Sequence, residues 1–115
     1  AKSSQVDSLP EREYFRSDIE KRVERERLLI ITETSVAPNY INGEIAGFKV
    51  ISLPKESVVS EIGIYEGDVI KEVNGVEING LSAVIGFYGR IYSEDRFEIL
   101  IERGKKLVRQ VYILK

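Results

Sequence analysis

GIYEGDVIKEVNG, Gly63 to Gly75, is the stretch on which the fold turns. Gly67 supplies the positive φ that a tight turn into a strand requires, at no steric cost. Asp68 has a short carboxylate that bonds nearby backbone N–H groups and closes the turn. Val69, Ile70 and Val73 suit a buried strand, and Asn74-Gly75 is the strongest short hairpin signal a sequence carries. The run holds no catalytic group. At this spacing, with an apolar helical pattern behind it, it specifies a turn, a buried strand and a hairpin.

Outward from the signature, Ser57 to Ile62 reads as a short helix capped by Ser57, with Gly63 behind it. A short strand, Val76 to Ile78, lies across the Asn-Gly turn from the signature strand, Asp68 to Val73. Leu81 to Tyr92 reads as a helix whose Leu81, Val84, Ile85, Tyr88, Ile91 and Tyr92 share one apolar face. Arg96 to Glu102 and Leu107 to Leu114 alternate apolar and polar residues and form a hairpin around Arg103-Gly104-Lys105-Lys106. Upstream, Gly47 opens a strand from Phe48 to Leu53, stopped by Pro54, and Ile41 to Ile45 is a turn. Leu28 to Val36 is apolar and β-branched and predicts a strand ended by Pro38 and Asn39. Ser17 to Arg27 predicts a helix with acids in its first turn and a narrow apolar stripe of Ile19 and Val23. Its charge run, Glu20 to Arg27, alternates in sign and reads as a solvated face. Residues 1–16 are expected to be a disordered linker, with the domain over 17–115. The expected class is α+β, mainly β: a partly open sandwich or barrel capped by two helices, plus an N-terminal helix.

Composition narrows the function. A net charge of −2 argues against nucleic acid or an anionic membrane as the partner, since both require a basic surface. With no Cys and no His, there is neither a thiolate zinc site nor the commonest general base and metal ligand. No nucleophile–base spacing, HExxH or P-loop pattern is present, so the expectation is a non-enzyme without cofactor or metal. No apolar run approaches the ~20 residues needed to cross a bilayer, and no direct membrane contact by these residues is expected.

The signature resembles the PDZ domain family, and the resemblance implies the same open β architecture. Gly47-Phe48-Lys49-Val50 is similar to the loop and strand start where PDZ domains hold a terminal carboxylate on backbone N–H groups. A charged helix ahead of the first strand, Pro38, Gly43-x-x-x-Gly47-Phe48-Lys49-Val50, Ile78-Asn79-Gly80-Leu81 and Ile101-Glu102-Arg103-Gly104 together resemble the C component of bacterial type II secretion systems. Lys49 stands where many PDZ loops have a second Gly; an Arg or Lys is usual there in the secretion family. The resemblance implies an interaction module on the periplasmic side of the inner membrane, held by an anchor outside this sequence. Its partner would be a secreted protein or another component of the machinery, and oligomers are compatible with it. The alternative is a regulatory PDZ module of a periplasmic or membrane-bound protease, and a third reading is a scaffold with a closed groove.

The mechanism so implied is β-strand addition, with the peptide-binding groove formed by Gly47, Phe48, Lys49, Val50, Ile51, Ser52, Ala83 and Phe87. A partner segment would pair with the edge of Phe48 to Ser52, against the helix Leu81 to Tyr92. Lys49 is either a cation meeting an acidic group or an ordinary solvated lysine. Phe87, between Gly86 and Gly89, is either a groove wall or core. The two helical glycines ask for a reason such as close backbone approach, because each costs ~1 kcal/mol relative to Ala. Asp68 and Asn74 are assigned to turn geometry. Tyr40, Tyr65 and Tyr88 are candidate contact residues.

Overall fold

The structure, a computed structural model, describes residues 5–90 and 92–115, apart from the side chains of Leu81, Val84, Ile85, Phe87 and Tyr88. The elements run β1 (Val6–Ser8), β2 (Arg12–Tyr14), α1 (Arg16–Arg25), α2 (Arg27–Glu33), β3 (Ser35–Ile41), β4 (Glu44–Ser52), α3 (Val58–Glu61), β5 (Val69–Val73), β6 (Val76–Glu77), α4 (Leu81–Arg90), β7 (Arg96–Arg103) and β8 (Lys106–Leu114). The strands form one sheet in the order β1-β8-β7-β5-β4-β3, with β2 also on β8 and β6 on β5. The α+β, mainly β expectation is met.

Local chemistry sets the hairpins. In β7, Phe97, Ile99 and Ile101 alternate inward, and in β8 Val108, Tyr112 and Leu114 meet them, which is the period-2 pattern of a one-sided core. Phe48, Val73 and Ile78 complete that cluster. Asn74 and Gly75 have φ of 51° and 80°, and Asn42 and Gly43 have 53° and 82°, the pairing that two-residue hairpins favour. Ser57 caps α3 as expected: its hydroxyl accepts from the Ser60 amide, and the Ser60 side chain accepts from the Ser57 amide.

Two expectations are corrected at the N-terminal side. The segment assigned to a disordered 1–16 linker is structured from Val6 onward, where β1 and β2 pair in parallel with β8; residues 1–4 lie outside the described residues. Leu9 N–H donates to the Arg109 carbonyl at 2.9 Å, and Lys115 N–H to that of Tyr14 at 2.9 Å. The buried Gln110 amide donates to the Pro10 carbonyl at 2.8 Å. Three-residue strands around a proline carry no readable period, and only pairing with β8 orders them. The second correction is Leu28 to Val36. It is helix α2 up to Glu33, and β3 begins at Ser35. The helical bonds Glu26 N–H to Arg22 and Ile30 N–H to Glu26 run through the α1–α2 junction, so the backbone kinks rather than leaving the helix.

Pro38 does not end a strand; it sits inside β3. A proline is tolerated there because β3 is the terminal strand of the sheet. The charge run on α1 is only partly a solvated face. Arg22 holds Glu61 through two bonds of 2.5 and 3.0 Å, and Glu26 accepts the Val58 N–H at 2.7 Å, so both dock α1 on α3 beside the buried Val23.

Candidate functional site: the free edge of the sheet

The signature turn is a structural hub. Asp68, 2% exposed, accepts from Arg103 Nε at 2.9 Å and Nη2 at 2.8 Å, and from the Tyr65 N–H at 2.8 Å. Arg103 also donates to the Gly63 carbonyl at 2.9 Å and lies 4.5 Å from the Tyr65 ring centroid. The bond to Asp68 raises the Arg103 pKa above its ordinary value, so the guanidinium stays charged across the working range. Fork geometry of this kind is the strong form of ion pair. Asn74 fastens the other end: its Oδ1 accepts from Glu98 N–H at 2.7 Å and its Nδ2 donates to Glu94 at 3.0 Å. Both residues serve turn geometry, as expected. Nearby, the Tyr112 hydroxyl donates to the Ile62 carbonyl at 2.7 Å, and burial pushes its pKa up.

This hub determines which strand edge is open. Val50 N–H donates to the Asp68 carbonyl at 2.8 Å, and the Val50 carbonyl accepts from Gly67 N–H at 2.8 Å. Gly47 N–H is spent on the Ile78 carbonyl at 3.0 Å. Phe48 and Lys49 pair with Ile70 and Val69 of β5, while β3 covers the opposite side of β4. The edge assigned to Phe48–Ser52 is therefore occupied on both sides over its first half, and strand addition there is ruled out. Ser52 faces Ser35 of β3 across the same ladder.

The other assigned residues separate accordingly. Gly47 is buried with φ +94°, and a Cβ on it would lie 2.6 Å from the Ile70 carbonyl oxygen, so its role is the crossing of β4 and β5. Phe48 and Val50 belong to the core, at 7% and 4% exposure. Lys49 and Ile51 are exposed. Ala83 is half-buried and packs against the core cluster. The side chain of Phe87 lies outside the described residues, as does that of Tyr88. The close approach expected at Gly86 and Gly89 is absent: nothing among the described residues lies within 4 Å of a Cβ at either. Tyr92, expected on the helix's apolar face, lies beyond α4 and is exposed.

The open edge belongs to β3. Its register with β4 is Val36↔Val50, Ala37↔Lys49 and Pro38↔Phe48. Because both backbone groups of Val50 face β5, Val36↔Val50 is a non-hydrogen-bonded pair, and the Val36 N–H and carbonyl point away from the sheet. The same alternation turns the Pro38 carbonyl outward and places its missing N–H where no ladder bond is lost. The extra residue of the bulge lies on β4, where Ala46 and Gly47 stand opposite Asn39, and the Asn39 side-chain amide donates to the Ala46 carbonyl at 3.0 Å. Val36, Tyr40 and Ile41 leave 44%, 62% and 49% of their surfaces exposed along this edge. Cross-strand neighbours share a face, so Val36 stands on the core side of the sheet, beside Val50, as an apolar lip. Sequence pattern missed this edge because strand order is set by pairing between distant segments.

A concavity of about 350 Å³ runs between α1 and α3, bounded by Tyr14, Ile19, Arg22, Val58 and Ile62.

A hairpin edge, a Gly-Asp turn locked by an arginine, and a helix between the short and long hairpins define the PDZ fold. The solved structures bear this out. The protein is similar to the PDZ domain of EpsC from Vibrio cholerae, at 13% identity and a TM-score of 0.58, covering 85% of this chain and 93% of that one. A shorter form of the same domain matches at 14% identity and a TM-score of 0.52, over 75% and 98% of the two chains. The PDZ domain of the pullulanase C protein of the type II secretion system from Klebsiella pneumoniae, solved with a fatty acid, matches at 16% identity and a TM-score of 0.53, over 84% and 99%. No protein-family model matches the sequence, and no curated protein does. The protein has the PDZ fold, and its structural neighbours include PDZ domains of type II secretion C proteins.

Proposed function

We propose that this protein is a non-catalytic interaction module of a type II secretion system, binding an extended partner segment by strand addition to β3. The observation that carries the reading is the outward pair of backbone groups on Val36 beside an exposed apolar lip. Main-chain bonds would supply affinity and the alternate side chains selectivity. The secretion context rests on the likeness to the two C-protein domains. In that context the domain works on the periplasmic side of the inner membrane, and its partner is a secreted protein or a machinery component.

Short peptides tiled from the secreted proteins and secretion components of its own source provide the test. Binders should shift the amide resonances of residues 35–41. Val36→Pro deletes the outward N–H, and β3 keeps its bonds to β4, so it should abolish binding with the melting temperature held within a few degrees. Binding that survives Val36→Pro, or shifts confined to α1 and α3, overturns the reading.

A further inference from the structure

β3 carries no charged residue, yet both of its ends do. Exposed Glu33 precedes it and exposed Glu44 stands across its far end, paired with Ile41. Neither carboxylate has an ion-pair partner among the described residues. Helix α2 runs into β3 through Thr34 alone, so the helix's carbonyl end, with its partial negative charge, faces the start of the edge. The Thr34 N–H is already donated to the Ile30 carbonyl at 3.0 Å. Between 36 and 38 the outward N–H is that of Val36, since Pro38 has none.

A free carboxyl terminus needs a cluster of unspent N–H groups and a positive field, and this end of the edge offers one N–H in a negative field. A second copy pairing antiparallel through β3 would bring Glu33 toward Glu44 of its partner at both ends, which like-charge repulsion disfavours. We infer that the β3 edge receives an internal extended segment, apolar at its centre and flanked by Lys or Arg, in preference to a free carboxyl terminus. This rests on the strand-addition reading above and specifies the partner's chemistry. The partner's central residues pack on Val36, and its cations meet Glu33 and Glu44. Opposite Pro38 the partner donates an N–H to the outward carbonyl and receives none in return.

The test uses a heptapeptide of alternating valine and threonine between two lysines, with both termini capped. Comparison peptides carry glutamates in place of the lysines, or end in a free carboxylate directly after the valine–threonine core. Amide shifts of residues 35–41 report occupancy of the edge. The capped lysine peptide should bind tightest, with the free-carboxylate form weaker by about two- to fivefold, the size expected of a charge at a helix end. Glu33→Gln should narrow that gap, whereas Glu24→Gln, away from the edge, should leave it unchanged. A free-carboxylate peptide that binds β3 more tightly than the capped one overturns the inference and leaves the edge reading standing. Absence of shifts in residues 35–41 with every peptide overturns both. A gap equally sensitive to Glu24→Gln reduces the preference to net charge and overturns the inference alone.

Discussion

The two ends of the sheet are treated in opposite ways. At one end β8 is covered: β1 and β2 lie along it in parallel, and the protein's own N-terminal segment spends the backbone groups that would otherwise face water. At the other end β3 has no strand on its outer side among the described residues, and Val36 directs its N–H and carbonyl outward. An exposed edge invites pairing, and proteins blunt it with charge, proline or cover. Here β8 receives cover, whereas β3 receives a single proline and acids only at its ends. The contrast teaches that one edge is left open by closing its rival. Openness is thus decided by residues far from the site, through Pro10 against Gln110 and through the Asp68–Arg103 hub that draws β4 onto β5.

The comparison breaks most readily at the closed end. Gln110→Ala removes the buried donor to the Pro10 carbonyl, a loss of about 1 kcal/mol for the hydrogen bond, to which the vacated buried volume adds. The variant should melt several degrees lower, its Val6–Leu9 amides should exchange faster, and peptide binding to the folded fraction at β3 should persist. A melting temperature within a degree of the parent would show that the N-terminal cover is not held by Gln110.

A smaller effect sharpens the same contrast through α1, which continues from the N-terminal strands. The paired hydrogen bonds from Arg22 hold the Glu61 carboxyl below the usual glutamate range. A group whose folded pKa is depressed stabilises the fold above its unfolded pKa, and that contribution is lost as pH falls through the folded value. Both groups reach solvent, so the effect on stability is slight. The carboxyl carbon of Glu61 should titrate at a lower pH than an unpaired glutamate, and Arg22→Gln should return it to the usual range. An unchanged midpoint in Arg22→Gln would remove this pair as the link between α1 and α3.

Much of the fold was legible because its determinants are local. The Gly67-Asp68 turn, the Asn74-Gly75 hairpin, the Ser57 cap and the alternation of β7 and β8 each lie within a few residues of the structure they specify. What escaped is non-local. The three residues of β1 have no pattern of their own, and β8, far along the sequence, orders them. Leu28 to Ile31 is as apolar as a strand, and the helical bonding that continues through Glu26 decides for α2. The unpaired edge was misplaced by one strand for the same reason. Gly47-Phe48-Lys49-Val50 resembles an open loop in sequence, but Gly47 bonds Ile78 and Val50 bonds Asp68, so its neighbour β3 is the strand left exposed.

Amide hydrogen exchange of the free protein tests the central claim with no partner required. The account predicts fast exchange at Val36, whose N–H faces water, beside slow exchange at Ala37, whose N–H faces β4. It also predicts slow exchange along β8 and at Leu9. Protection of Val36 equal to that of Ala37, or β8 amides exchanging as fast as Val36, would contradict the assignment of an open and a closed edge.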